Sequence, residues 1–184
     1  VMTDPGGKHE AKKLVFVALE GGFHGRTDRP AQVSSSSKAY SQYLASFRNL
    51  NNVFLVTPNS LESLREVFSK IESQGYYAEA MFMEPVMGEG NPGLAITPEF
   101  YAEARRLTKK NDTFLVVDSV QAGLRTHGCL SIVDYPGFSE LDAPDMEAFS
   151  KAINAGQFPL SALALSEAAA KAYKQGLYGN TMTG

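Results

Sequence analysis

Short unbroken apolar runs, separated by stretches of helical periodicity, constrain this chain more than any other feature. Leu14–Leu19 reads LVFVAL and stops at Gly21-Gly22. Residues 53–57 form a second run ended by Pro58, and residues 80–83 (AMFM) a third, halted by Glu84-Pro85. Residues 113–117 (TFLVV) run straight into Asp118. Apolar runs without alternation belong to strands covered on both faces. Between them, Ser60 is placed to cap a helix over Leu61–Ser73, with Leu61, Leu64, Val67, Phe68 and Ile71 at helical spacing and Gly75 ending it. Thr97-Pro98 pairs a capping residue with proline at the first helical position, opening a helix to about Lys110. Ala148-Phe149 and residues 160–165 suggest two further strands, and residues 166–174 a helix with an alanine-rich face. The expected fold is α/β, a three-layer sandwich with a mainly parallel sheet. Functional residues in such sheets gather where strand ends meet loops.

Composition removes several classes of function. The chain has 184 residues, enough for one well-buried domain, and a net charge of −3. A nucleic-acid binder would carry a concentrated basic surface, so no nucleic-acid partner is expected. No apolar run approaches the roughly 20 residues that cross a bilayer, and residues 1–13 are too polar for a secretory signal. The single Cys129 excludes an internal disulfide framework and fits a reducing compartment, the cytoplasm or, in a eukaryote, the mitochondrial matrix. Its plain role is that of a small packed residue. The three histidines lack any metal-binding spacing, so no metal site is expected. The serine run at 34–37 looks like a flexible loop without functional weight.

Four loops after expected strands hold the notable polar residues. Phe23-His24-Gly25-Arg26-Thr27 follows the first, and Glu84-Pro85-Val86-Met87-Gly88-Glu89-Gly90 the third. Asp118-Ser119-Val120-Gln121-Ala122-Gly123 follows the fourth, and Ser150-Lys151-Ala152 comes after Ala143-Pro144-Asp145. Each has a bland explanation: a turn residue at a strand end, a solvated lysine, an aromatic plug, a proline stop. Their order and spacing, completed by Pro159-Leu160-Ser161-Ala162, resemble one family, the class III or ornithine-type aminotransferases among the fold type I pyridoxal-phosphate enzymes. The resemblance runs from about Phe16 to the end of the chain.

That resemblance implies roles for individual residues. Lys151 matches the amine that holds pyridoxal 5'-phosphate as a Schiff base and later moves a proton. Asp118 matches the carboxylate that keeps the pyridine nitrogen protonated. Phe23 and Val120 match the residues packed on the two ring faces, Gln121 the side chain that reaches the phenolic oxygen, and His24 belongs to the same cofactor-binding turn. Glu84 and Glu89 match substrate-side glutamates; Glu89 is the one that pairs with an arginine, expected downstream. Thr181, or failing it Thr183, matches a threonine that hydrogen-bonds the cofactor phosphate of the other subunit in a homodimer. The implied activity transfers an amino group from an amino acid or ω-amine to a 2-oxo acid.

The match also has departures. Many members carry an acid after the nitrogen-pairing aspartate, where this chain has Ser119. Residues 152–157 are less glycine-rich than the usual stretch after the lysine, and residues 1–13 hold no counterpart of the phosphate-binding turn. The chain opens on Val1 and stops at Gly184, so residues 1–184 are expected to be a partial cofactor-binding large domain, without its N-terminal segment and C-terminal small domain. Decarboxylation, aminomutation or racemisation with the same cofactor stays open, as does a catalytically incompetent fragment. A nucleotide-binding domain is disfavoured, since no G-x-x-x-x-G-K-[ST] occurs and no G-x-G-x-x-G opens a helix after the first strand.

Overall fold

A computed structural model describes residues 2–37, 43 and 51–172. Among these, six strands form one sheet: β1 (Leu14–Leu19), β2 (Val53–Val56), β3 (Tyr77–Met83), β4 (Phe114–Asp118), β5 (Met146–Phe149) and β6 (Ala162–Leu165). Their order is β2-β1-β3-β4-β5-β6. Pairings from β2 through β5 are parallel, and β6 returns antiparallel against β5. This is the mainly parallel α/β sheet expected from the unbroken apolar runs.

Alternation along β1 sends side chains to two cores. Val15, Val17 and Leu19 join Met81, Met83, Leu115 and Val117 on one face. Phe16, Ala18, Val33 and Ala80 cluster on the other. The described residues also form helices α1 (Asp28–Val33), α2 (Leu61–Ser73), α3 (Pro98–Lys110) and α4 (Glu167–Ala172), together with short 3₁₀ turns. Leu64, Phe68 and Ile71 of α2, with Phe100, Tyr101, Ala104 and Leu107 of α3, cover the first face.

Both long helices start as their sequences dictate. The Ser60 hydroxyl accepts the Ser63 N–H at 3.1 Å, and Thr97 accepts that of Phe100 at 3.2 Å. Gly75, at φ +67°, turns the chain out of α2 into β3.

One buried ion pair ties α3 to the sheet. Arg105 grips Asp145 with two hydrogen bonds of 2.6 and 3.0 Å, and Asp145 also accepts the Leu115 N–H at 2.8 Å. The aspartate of the Ala143-Pro144-Asp145 motif therefore fastens β4 and α3 at the entry to β5.

Candidate active site

Because β1, β3, β4 and β5 run parallel, their C-terminal ends share one edge of the sheet. The loops after these strands carry the candidate residues, as open parallel sheets require of a ligand site. Side-chain hydrogen bonds then lace the loops together.

Glu84, immediately after β3, is buried, and its two carboxylate oxygens accept the N–H groups of Phe23 at 2.8 Å and Gly88 at 3.0 Å. It holds the turn bearing Phe23 against the loop after β3. Burial pushes its carboxyl above the usual carboxylate range, against the opposing pull of the two amides and of nearby His24.

His24 Nδ1 lies 3.0 Å from Asp118 Oδ2, with the imidazole almost wholly buried at 4% side-chain exposure. An ionised carboxylate only accepts, so Nδ1 donates here. Nε2 is buried without a hydrogen-bond partner among the described residues. The second Asp118 oxygen accepts the Val120 N–H at 3.1 Å. Asp118 is thus oriented from two sides while its carboxyl remains partly open.

Gln121 packs so closely on the loop after β3 that a Cβ on Gly88 would sit 2.0 Å from Gln121 Oε1. No side chain fits at residue 88 while Gln121 stands there. Val120 is half-buried beside it.

The serine run behaves differently from the sequence expectation. Ser34 is buried and its hydroxyl accepts the His24 N–H at 2.7 Å. Ser35 accepts the Gly21 N–H at 2.5 Å, and Ser36 donates to the Gly22 carbonyl at 3.0 Å. Three consecutive hydroxyls buttress the turn that presents Phe23 and His24. A residue-type pattern could not reveal this, because a short polar run is equally a loop until its partners are known.

Lys151 starts a 3₁₀ turn (Lys151–Asn154) just beyond β5. Its backbone has φ +45°, an uncommon conformation for a non-glycine residue. Asp118 pairs across the ladder with Ala148, so the amine-bearing residue follows on the strand adjacent to the carboxylate. The lysine is exposed, and its amine has no hydrogen bond or ion pair among the described residues.

Glu89 is exposed at the rim, where Arg26 of the Phe23 loop reaches it at 3.4 Å. The arginine was expected downstream; the one seen here lies upstream, in the same motif as Phe23. The same guanidinium lies over the Phe23 ring, 5.5 Å from its centre. Thr181 and Thr183 lie outside the described residues.

An acid is in fact present next to Ser119. Glu147, from β5, accepts its hydroxyl at 2.5 Å. Sequence reasoning passed over Glu147, whose only signal was a charged residue beside apolar neighbours.

The donor set suits the ring half of pyridoxal phosphate: a free amine, an oriented carboxylate, an aromatic and an aliphatic side chain, and an amide. The described residues offer no equivalent set for the phosphate.

The family model for aminotransferase class-III matches residues 5–184. The chain belongs to the class-III aminotransferases. It is 28% identical over 179 residues to ornithine aminotransferase 2 of Staphylococcus aureus (strain MRSA252), covering 95% of this chain and 41% of that protein. It is 31% identical over 173 residues to the acetylornithine aminotransferase of Methanothermobacter thermautotrophicus, covering 94% and 40%. The fold matches the ornithine aminotransferase of Toxoplasma gondii ME49 with a TM-score of 0.72 at 24% identity, covering 95% of this chain and 38% of that one. A further crystal structure of the Toxoplasma gondii enzyme, with a TM-score of 0.69 at 24% identity, covering 95% and 37%, has partial occupancy of PLP at its active site. This class-III chain therefore spans about two-fifths of the length of its curated relatives. Among the described residues no helix is long and apolar enough to cross a membrane.

Proposed function

We propose that this chain supplies the ring-holding part of a pyridoxal-phosphate-dependent aminotransferase, which moves an amino group from an amino acid or ω-amine to a 2-oxo acid. The observation that carries it is the pairing of an oriented carboxylate, Asp118 on β4, with a lysine just past the adjoining strand, Lys151, whose amine has no partner among the described residues. When bound, the cofactor supplies an electron sink for the carbon that carries the substrate's amino group. Asp118 holds a proton at the ring nitrogen, because an adjacent anion favours the charged form. His24 and the Val120 amide keep that carboxylate aimed. Phe23 and Val120 would pack against the ring, and Gln121 would hydrogen-bond its phenolic oxygen. Lys151 would hold the cofactor through its amine and, once released, carry a proton to and from the substrate carbon. Glu84, matched by resemblance to a substrate-side glutamate, acts from within by fixing the Phe23 turn. Glu89 lies at the substrate side, where the exposed Arg26–Glu89 pair can part when a carboxylate competes for the guanidinium. The whole protein works as a homodimer in the cytoplasm or mitochondrial matrix, with Thr181 reaching the cofactor phosphate of the other subunit.

The test is reconstitution of the full-length protein with pyridoxal phosphate. A visible absorbance band is expected that Lys151→Ala abolishes. Asp118→Asn should keep part of the bound cofactor while turnover falls by roughly 10²–10⁴-fold, the range of a lost proton-handling group. Single-turnover mixing with L-ornithine or N-acetyl-L-ornithine should give one equivalent of carbonyl product without CO₂. Identical spectra for wild type and Lys151→Ala would remove the proposal, and CO₂ release would redirect it to a decarboxylase.

A further inference from the structure

Glu147 is a buried carboxylate to which the chemistry above gives no task. It lies on β5 with 4% of its surface exposed. Its partners are all neutral donors: the Ser119 hydroxyl at 2.5 Å and the Ile132 N–H at 3.0 Å on Oε1, and the Ser131 hydroxyl at 2.6 Å on Oε2. No salt bridge to it occurs among the described residues. Burying an ionisable group this deeply is costly unless hydrogen bonds offset its lost hydration, and here the three donors do so from two separate stretches of the chain.

What they hold is the long excursion between β4 and β5. Ser119 opens that excursion and Ser131 sits near its middle, so one carboxylate clasps its first half at both ends. Ser119 is itself fully committed: its N–H donates to the Ala148 carbonyl at 3.0 Å and its own carbonyl accepts the Gly123 N–H at 2.8 Å. Gly123 has no room for a side chain, since a Cβ would meet the Ser119 carbonyl at 2.8 Å. Ser119 is therefore the fixed point of the turn that carries Val120 and Gln121, directly after Asp118. Its side chain points into the protein, while that of Asp118 turns to His24.

We propose that Glu147 is a positioning residue of the cofactor site, which holds Val120 and Gln121 in place relative to Asp118 by clasping Ser119 and the stretch Ser131-Ile132. The cofactor part rests on the function proposed above; the clasp itself does not. The requirement is for hydrogen-bond acceptance in a fixed geometry. A glutamine can accept at its oxygen from Ser119 and Ile132 and donate its amide to Ser131, whereas a valine can do neither.

The experiment uses the full-length protein with Glu147→Gln, Glu147→Val and Ser119→Ala, read in two ways. Without cofactor, amide hydrogen exchange at residues 120–124 should accelerate by at least about tenfold in Glu147→Val relative to the amides of β1, the equilibrium equivalent of one charge-assisted hydrogen bond. With pyridoxal phosphate, Glu147→Val should weaken cofactor binding by roughly tenfold and move the pH midpoint of the visible band, with Ser119→Ala intermediate. Glu147→Gln should stay within about threefold of wild type. If Glu147→Val does not fold, Ser119→Ala carries both measurements. Unchanged exchange at residues 120–124 overturns the clasp. A lowered melting temperature with unaltered cofactor affinity and band midpoint overturns the positioning role. Absence of any Lys151-dependent band in wild type counts against the aminotransferase proposal, and the exchange measurement still decides the clasp.

Discussion

The flank of the sheet built from β1, β3 and β4 and the flank built from β5 and β6 are made very differently. On the first, β1 and β3 are largely buried on both faces and β4 on one, and Phe23, His24, Glu84 and Asp118 are each held by hydrogen bonds from neighbouring loops. On the second, all of β6 is exposed, Leu163 and Leu165 included, along with Phe158 and Leu160, and the Lys151 amine has no partner among the described residues. The contrast teaches that this chain preorganises the carboxylate side of its candidate site by its own packing. The amine side follows β5, which alternates buried and half-buried residues as β4 does, and borders the exposed β6.

The sharpest way to break the contrast is at the join between the two flanks. Asp145→Ala would leave Arg105 as an uncompensated buried cation and free the Leu115 amide. A loss of about 3–5 kcal/mol is expected from denaturant unfolding, and a value under 1 would show that the flanks are not fastened there. A matched pair of truncations comes next. Leu115→Ala on β4, at 0% exposure, should cost about 2–5 kcal/mol. Leu163→Ala on β6, at 55% exposure, should stay within about 0.5 kcal/mol. Equal costs for the two would erase the distinction between flanks.

Ser34→Ala tests the serine buttress on the ordered flank. It strands the His24 N–H, and about 1–3 kcal/mol should appear as an earlier unfolding midpoint. The smallest effect concerns pH. The folded-state carboxyl of Glu84 sits above its unfolded value, so the folded protein binds the extra proton. Its contribution to stability is fully present below the unfolded pKa and is lost as pH rises through the folded one. Glu84→Gln should flatten that decline in unfolding curves taken from pH 4 upward, while an unchanged slope would assign the decline to other groups.

Much of this architecture was legible in the residues. LVFVAL, a short β-rich run stopped by Gly21-Gly22, read as a strand, and Ser60 and Thr97 marked both long helices because capping is a local interaction. β3 begins at Tyr77, ahead of the AMFM run, because Glu79 interrupts the apolar pattern while it reaches Arg29 at 3.6 Å. β5 was half hidden for a similar reason: Glu147 disguises MEAF, and its acceptability depends on Ser119 and Ser131 arriving from other segments. At the candidate site, the Lys151 and Asp118 motifs could be picked out by family resemblance. The His24–Asp118 link could not, since it joins strands separated by β3 and needs the sheet order first. The serine run was undervalued because its meaning lies wholly in tertiary hydrogen bonds.

In the function proposed above, Lys151 is the amine that holds the cofactor. Incubating the full-length protein with pyridoxal phosphate, reducing with borohydride and mapping the modified peptide tests it most directly. The label is expected on the peptide containing Lys151, and lost in Lys151→Ala. Label spread evenly over surface lysines, or unchanged in Lys151→Ala, would contradict it.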